Sequence, residues 1–121
     1  MLNSYKELNV WQRSIELVVE IYNLTNLFPK TEAYGLTNQM RRAIVSIPSN
    51  IAEGYTRKHR QEYLQFTRIA FGSGAELETQ IVIAKKLNMA SLDKFTKSEE
   101  LLDQIMKMLN KMTSSLKVSE S

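Results

Sequence analysis

Apolar residues recur along this chain at every third or fourth position, in four stretches each long enough for about five helical turns. Few residues interrupt them: only four glycines and two prolines occur in 121 residues. Such spacing places the apolar side chains on one side of an α-helix, and so few breakers leave a small number of long helices. No two-residue alternation of strand type competes with the pattern.

In the first stretch Trp11, Ile15, Val18 and Tyr22 share one face, and Leu17, Ile21, Leu24 and Phe28 form a second stripe beside it. Together they make an arc wider than one bundle contact needs, so part of it is expected at a subunit interface; Trp11, Leu17, Ile21, Leu24 and Phe28 are the candidates. Asn9 is the expected cap, with Gln12 at the third helical position. Pro29 ends this helix.

Leu36, Met40, Ala43, Ile44, Ile47 and Ile51 carry the second helix; Pro48 within it predicts a kink near Ile44 to Pro48, and Gly54 suits the left-handed position past its end. Tyr63, Phe66, Ala70, Leu77, Ile81 and Ala84 define the third helix, where Gly72-Ser73-Gly74 marks either a close backbone approach or a break. Ser91 or Asp93 caps the fourth, whose stripe is Leu102, Ile105, Met108 or Leu109, Met112 and Leu116. The expectation is a single all-α domain over residues 1–121, an antiparallel up-down four-helix bundle with helices at about 7–27, 33–53, 60–88 and 93–117.

Composition then narrows the function. There is no cysteine, which removes disulfides, thiolate metal sites and a cysteine nucleophile. No run approaches the ~20 apolar residues of a membrane span, and Met1 to Val10 lacks a signal-type apolar core, so no membrane partner and a cytoplasmic location are expected. His59, the one histidine, has Thr56 three residues before it, which does not make a di-iron motif, and too few nitrogen or sulfur ligands exist for a closed zinc site. Glu76 and Glu78 fall on different sides of a helix, so Glu53 and Glu76 read as ion-pair partners for Arg41, Arg42 or Arg57 rather than as an acid–base pair. Gln39, Ser46 and Asn50 read as structural polar groups beside the proline. With no phosphate-binding glycine loop either, neither enzyme activity nor a cofactor is expected.

What remains is charge. The chain carries a net charge of +3, and five copies would carry +15. Arg57, Lys58 and Arg60 cluster in one loop with Tyr55 and His59; Arg41 and Arg42 precede them by a helix, and Lys85 and Lys86 follow late on the third. Lysine and arginine neutralise phosphates, and a neighbouring aromatic can stack on an unpaired base, so these seven form a candidate RNA or DNA contact. The alternative is a scaffold that docks a partner protein, with Met106, Met108 and Met112 as an adaptable surface.

Leu8-Asn9-Val10-Trp11, Ile21-Tyr22, Phe28-Pro29, Tyr34-Gly35-Leu36, Gln39 to Ala43, Ser46 to Gly54, and Phe66, Ala70, Gly72-Ser73 and Glu76-Leu77-Glu78 together resemble a known family. It is the four-helix-bundle family of proteins encoded in intervening sequences of 23S ribosomal-RNA genes, and the likeness runs from Leu8 to Leu87. The resemblance implies a homopentameric ring. It also implies distant kinship with the accessory proteins of diversity-generating retroelements, basic pentamers that associate with a reverse transcriptase and nucleic acid. Two departures stand out: His59 where a capping serine is more usual, and Gly74 where a larger residue is common.

Overall fold

A computed structural model describes residues 4–118 and is helical almost throughout. Four helices follow in chain order: α1 Asn9–Thr25, α2 Leu36–Thr56, α3 Arg60–Lys86 and α4 Thr96–Val118. Each packs on its neighbours in the chain, and α4 closes back on α1, giving the up-down bundle that short connections dictate. α1 and α3 therefore stand at diagonal corners. The core between them is built from Leu17, Ile21, Met40, Ile44, Ile47, Ile51, Leu77, Ile105 and Leu109, all fully buried.

The ends differ from the expected bounds for local reasons. Ser4 accepts from Lys6 N at 3.1 Å while Glu7 accepts from Ser4 N at 3.2 Å, a reciprocal cap that closes Tyr5–Glu7 into a separate 3₁₀ turn. Leu8, extended, is thus the N-cap of α1, and Asn9 is its first helical residue rather than its cap. α3 ends in a Schellman motif: Asn88 takes φ 57°, Met89 N donates to Ala84 O at 3.0 Å, and Asn88 N donates to Lys85 O at 3.1 Å. Leu92–Phe95 forms a further 3₁₀ turn that buries Phe95 against Phe28, ring centres 6.2 Å apart, and this delays α4 to Thr96.

Gly54, expected to act through backbone conformation, acts through space instead. Gly54 lies inside α2, with negative φ. A methyl group there would sit 2.8 Å from Phe66 Cβ and 3.1 Å from Tyr63 Cδ1, so its missing side chain is what lets α3 approach. α3 runs unbroken through Gly72-Ser73-Gly74; a Cβ on Gly74 would overlap the Met106 sulfur, whereas one on Gly72 would meet nothing. α2 continues through the buried Pro48. Across the proline Asn50 Nδ2 donates to Ser46 O (2.8 Å) and Ser46 Oγ (2.9 Å), and Ser46 shares a 2.8 Å hydrogen bond with Ser73 of α3. This polar thread ties α2 to α3 where the proline removes a helical donor.

The subunit-interface assignment on α1 is corrected. Leu17, Ile21, Leu24 and Phe28 are buried within the single chain, and Trp11 is half-buried, its ring edge-on to Tyr5 at 5.5 Å. The inner of the two stripes is the core stripe; the apolar residues left outside are Ile15 (38% exposed), Val19 (55%) and Tyr22.

Candidate nucleic-acid interface

The seven basic residues do not form one patch. Because α2 and α3 are antiparallel, Arg57, Lys58 and Arg60 sit at the turn joining them, while Lys85 and Lys86 lie at the opposite end, about 38 Å away along α3. Arg41 and Arg42, early on α2, are about 22 Å along that helix from the turn.

Three of the seven are committed to the fold. Arg41 reaches across to the end of α1: its Nε donates to Thr25 Oγ1 at 2.9 Å and its Nη2 to Asn26 Oδ1 at 3.0 Å and Tyr22 O at 3.4 Å. Its guanidinium also lies 4.4 Å from the Tyr22 ring centre. Thr25, buried, passes the bond on by donating to Ile21 O at 2.7 Å. Arg41 therefore supplies the cationic cap that a helix C-terminus attracts. Arg57 pairs with Glu53 at 3.0 Å, one helical turn back, and with Glu62 at 3.7 Å, and it covers the Phe66 ring at 5.1 Å. Lys85 bridges α3 to α4 through Glu99 at 2.9 Å.

Arg42, Lys58, Arg60 and Lys86 are exposed and have no ion pair among the described residues. Lys58 holds φ 63°, the left-handed conformation that turns the chain from α2 into α3. His59 is the N-cap of α3 and makes no side-chain capping bond. Tyr55 and Tyr63 meet edge-on at 5.9 Å beneath this turn, and burial, then the neighbouring Tyr55, raises the Tyr63 hydroxyl above its usual range.

The structural polar set divides too. Glu53 pairs with Arg57, and Asn50 joins the proline-side thread, both within the chain. Glu76 pairs with none of the arginines named for it; it and Gln39 line a depression of about 330 Å³ with Arg42 and Ser46. Among the described residues no three histidine or carboxylate groups converge as a metal site would need, and no helix is long and apolar enough to cross a membrane.

Sequence reasoning missed an apolar groove at the same end as the α2–α3 turn. About 430 Å³ in volume, it is floored by Val10, Tyr63, Met108, Met112 and Leu116. The available signal was the α4 stripe, which continues past the last core residue, Leu109, to Met112 and Leu116.

The family of 23S rRNA-intervening sequence proteins matches residues 6–111. The chain belongs to that family. Within the 23S rRNA-intervening sequence fold, a solved structure from Bacteroides thetaiotaomicron VPI-5482, a protein with unknown function from the S23 ribosomal protein family, superposes with a TM-score of 0.79. The two are 21% identical, over 86% of this chain and 97% of that one, so the likeness is one of fold. No curated protein matches the chain. The family match extends through α3 and most of α4, and so takes in both the basic turn and most of the apolar groove.

Proposed function

We propose that this family member is a non-enzymatic, ring-forming binding module that holds RNA or DNA by its backbone, with little sequence readout. The observation that carries the reading is the α2–α3 turn: Lys58 and Arg60 are exposed at the tip of the bundle with no ion pair among the described residues, beside Tyr55 and His59. The two cations of a single turn bind weakly, but a ring repeats them with fixed spacing and gains by avidity. Ring formation is supported by two different apolar stripes at diagonal corners, Ile15 and Val19 on α1 and Ile69 (43% exposed) and Ile83 on α3. Unlike patches on one subunit favour head-to-tail contacts, which give a ring where the rotation between subunits closes; the pentamer is the ring size the family resemblance implies.

The test is a labelled single-stranded RNA and DNA panel titrated at low and moderate salt, alongside light scattering. Expected are micromolar, steeply salt-dependent binding that Lys58→Ala/Arg60→Ala abolishes and Arg41→Ala does not, and a mass near five 14.0 kDa chains. Binding that survives the double substitution, or a monomer mass, defeats the reading.

A second reading, docking of a partner protein, is favoured by the groove, because Met108 and Met112 are only half-buried there and thioether side chains adapt to varied apolar surfaces. Nuclease treatment separates the two: a partner retained after nuclease supports docking.

A further inference from the structure

The apolar groove does not end at Leu116. Tyr63 and Leu116 also line a second depression of about 350 Å³, formed over the α2–α3 turn with Lys58, His59 and Arg60. The two are one continuous surface at the end of the bundle where α1 and α3 begin and α2 and α4 end. Among the described residues its lining contains three cations, Lys58, Arg60 and Lys111, and no carboxylate. A methionine-rich floor with a rim of one sign specifies its ligand more narrowly than either feature alone. The occupant must be apolar on the side that enters and negative on the side that remains in water.

We infer that this surface docks an acidic amphipathic helix of a partner protein, its apolar side on Met108, Met112 and Leu116 and its carboxylates over Lys58, Arg60 and Lys111. The inference rests on the partner-docking reading and adds the chemistry of the partner. Geometry agrees with a helix. From Met108 to Leu116 the α4 flank of the groove runs about 12 Å, the length of two helical turns, and the groove lies open to solvent along it rather than enclosing a small molecule. Helix dipoles do not decide the matter, since two helices start and two end here; the side-chain cations supply the net field.

The experiment is fluorescence anisotropy of the full chain with a labelled peptide of about 15 residues, carrying leucines at helical spacing and glutamates on the flank. Glutamine and lysine replace the glutamates in two control peptides. The glutamate peptide is expected to bind about tenfold more tightly than the glutamine one and to weaken with salt, and the lysine peptide not to bind. Lys58→Glu/Arg60→Glu, at exposed positions, should lose about tenfold. Met112→Asp should lose as much with unchanged helicity by circular dichroism. Equal binding by all three peptides, or binding indifferent to both variants, overturns the inference. So does a fall in assembly mass on Met112→Asp, which gives the groove to a second copy, or loss of RNA binding on that substitution, which gives it to nucleic acid. Failure of the acidic peptide while a photo-crosslinking residue at position 115 traps a host protein overturns the partner's chemistry and leaves docking standing. Failure of both ends both.

Discussion

Replacing Arg41 separates a residue that holds the fold from one that serves a ligand. The structure gives Arg41 two short hydrogen bonds, a longer one to Tyr22 O, and the face of the Tyr22 ring. Its Nε bond to the buried Thr25 hydroxyl, a charged donor to a shielded acceptor, is worth about 1–1.5 kcal/mol, and the exposed Asn26 bond about 0.5. Stacking on the exposed Tyr22 ring adds about 0.5 kcal/mol. Arg41→Ala is therefore expected to cost about 2 kcal/mol. At ~2.1 cal/mol/K per residue, a chain of 121 residues has an unfolding entropy near 0.25 kcal/mol/K, so Tm should fall by about 8 °C. Arg41→Lys is the sharper test, because it keeps the charge and loses the planar fork that reaches Thr25 and Asn26 together. It should recover less than half the loss, while nucleic-acid affinity stays at the parent value in both variants. Thermal denaturation at one fixed protein concentration, followed at 222 nm, reads the stability, and anisotropy reads the binding. Full thermal rescue by lysine, or a binding defect in a variant that is still folded, would refute the structural assignment.

Four further substitutions test the packing and the turn. Gly54→Ala sets a Cβ 2.8 Å from Phe66 Cβ, so about 1 kcal/mol gained in helix propensity is outweighed by overpacking, for a net loss of about 1–2 kcal/mol in urea denaturation; an unchanged midpoint would contradict the close approach. Gly74→Ala meets only the flexible end of Met106, and should fall within about 1 kcal/mol of the parent in the same assay; a loss as large as that at Gly54 would mean Met106 cannot move aside. His59→Ser places a hydroxyl where no side chain now caps α3, three residues before Glu62, and should gain about 0.5–1 kcal/mol; no rise in Tm would show that the first turn is already satisfied. Tyr63 titrates above its unfolded value because of burial, then Tyr55. The stability this reflects is complete below pH ~10 and is lost as pH rises through the folded value, so Tyr63→Phe should flatten the alkaline limb of the stability profile; an unaltered limb would place the titration elsewhere.

The bundle was legible because its signal is redundant. Each helix repeats its apolar residue over several turns, and misplacing one, such as taking Asn9 for the cap, moves an end without disturbing the stripe. Turns were less legible because each depends on one or two interactions. Asn88 closes a Schellman motif with its backbone, and no pattern in Leu87-Asn88-Met89 distinguishes that from an ordinary loop. Gly54 shows the same limit: glycine permits both a left-handed turn and a tight crossing, and only the position of Phe66 selects between them.

The basic residues were harder still, because the side on which a cation points matters more than that it is present. Arg41 and Arg42 are neighbours in sequence yet about 100° apart around α2, so one turns to the end of α1 and the other to solvent. Arg57 and Lys58 differ for another reason. Arg57 continues the helical geometry and finds Glu53 one turn back, whereas the left-handed step at Lys58 takes the chain out of reach of such i,i+4 partners. Where the helix stops, Lys58 and Arg60 are left exposed and, among the described residues, without an ion pair. These unpaired cations of the turn, Lys58 and Arg60, lie beside the apolar groove that α4 extends past the core. A ligand that uses both features must meet the bundle at this end, and substitutions at Lys86 or Arg42, toward the other, should leave its affinity unchanged.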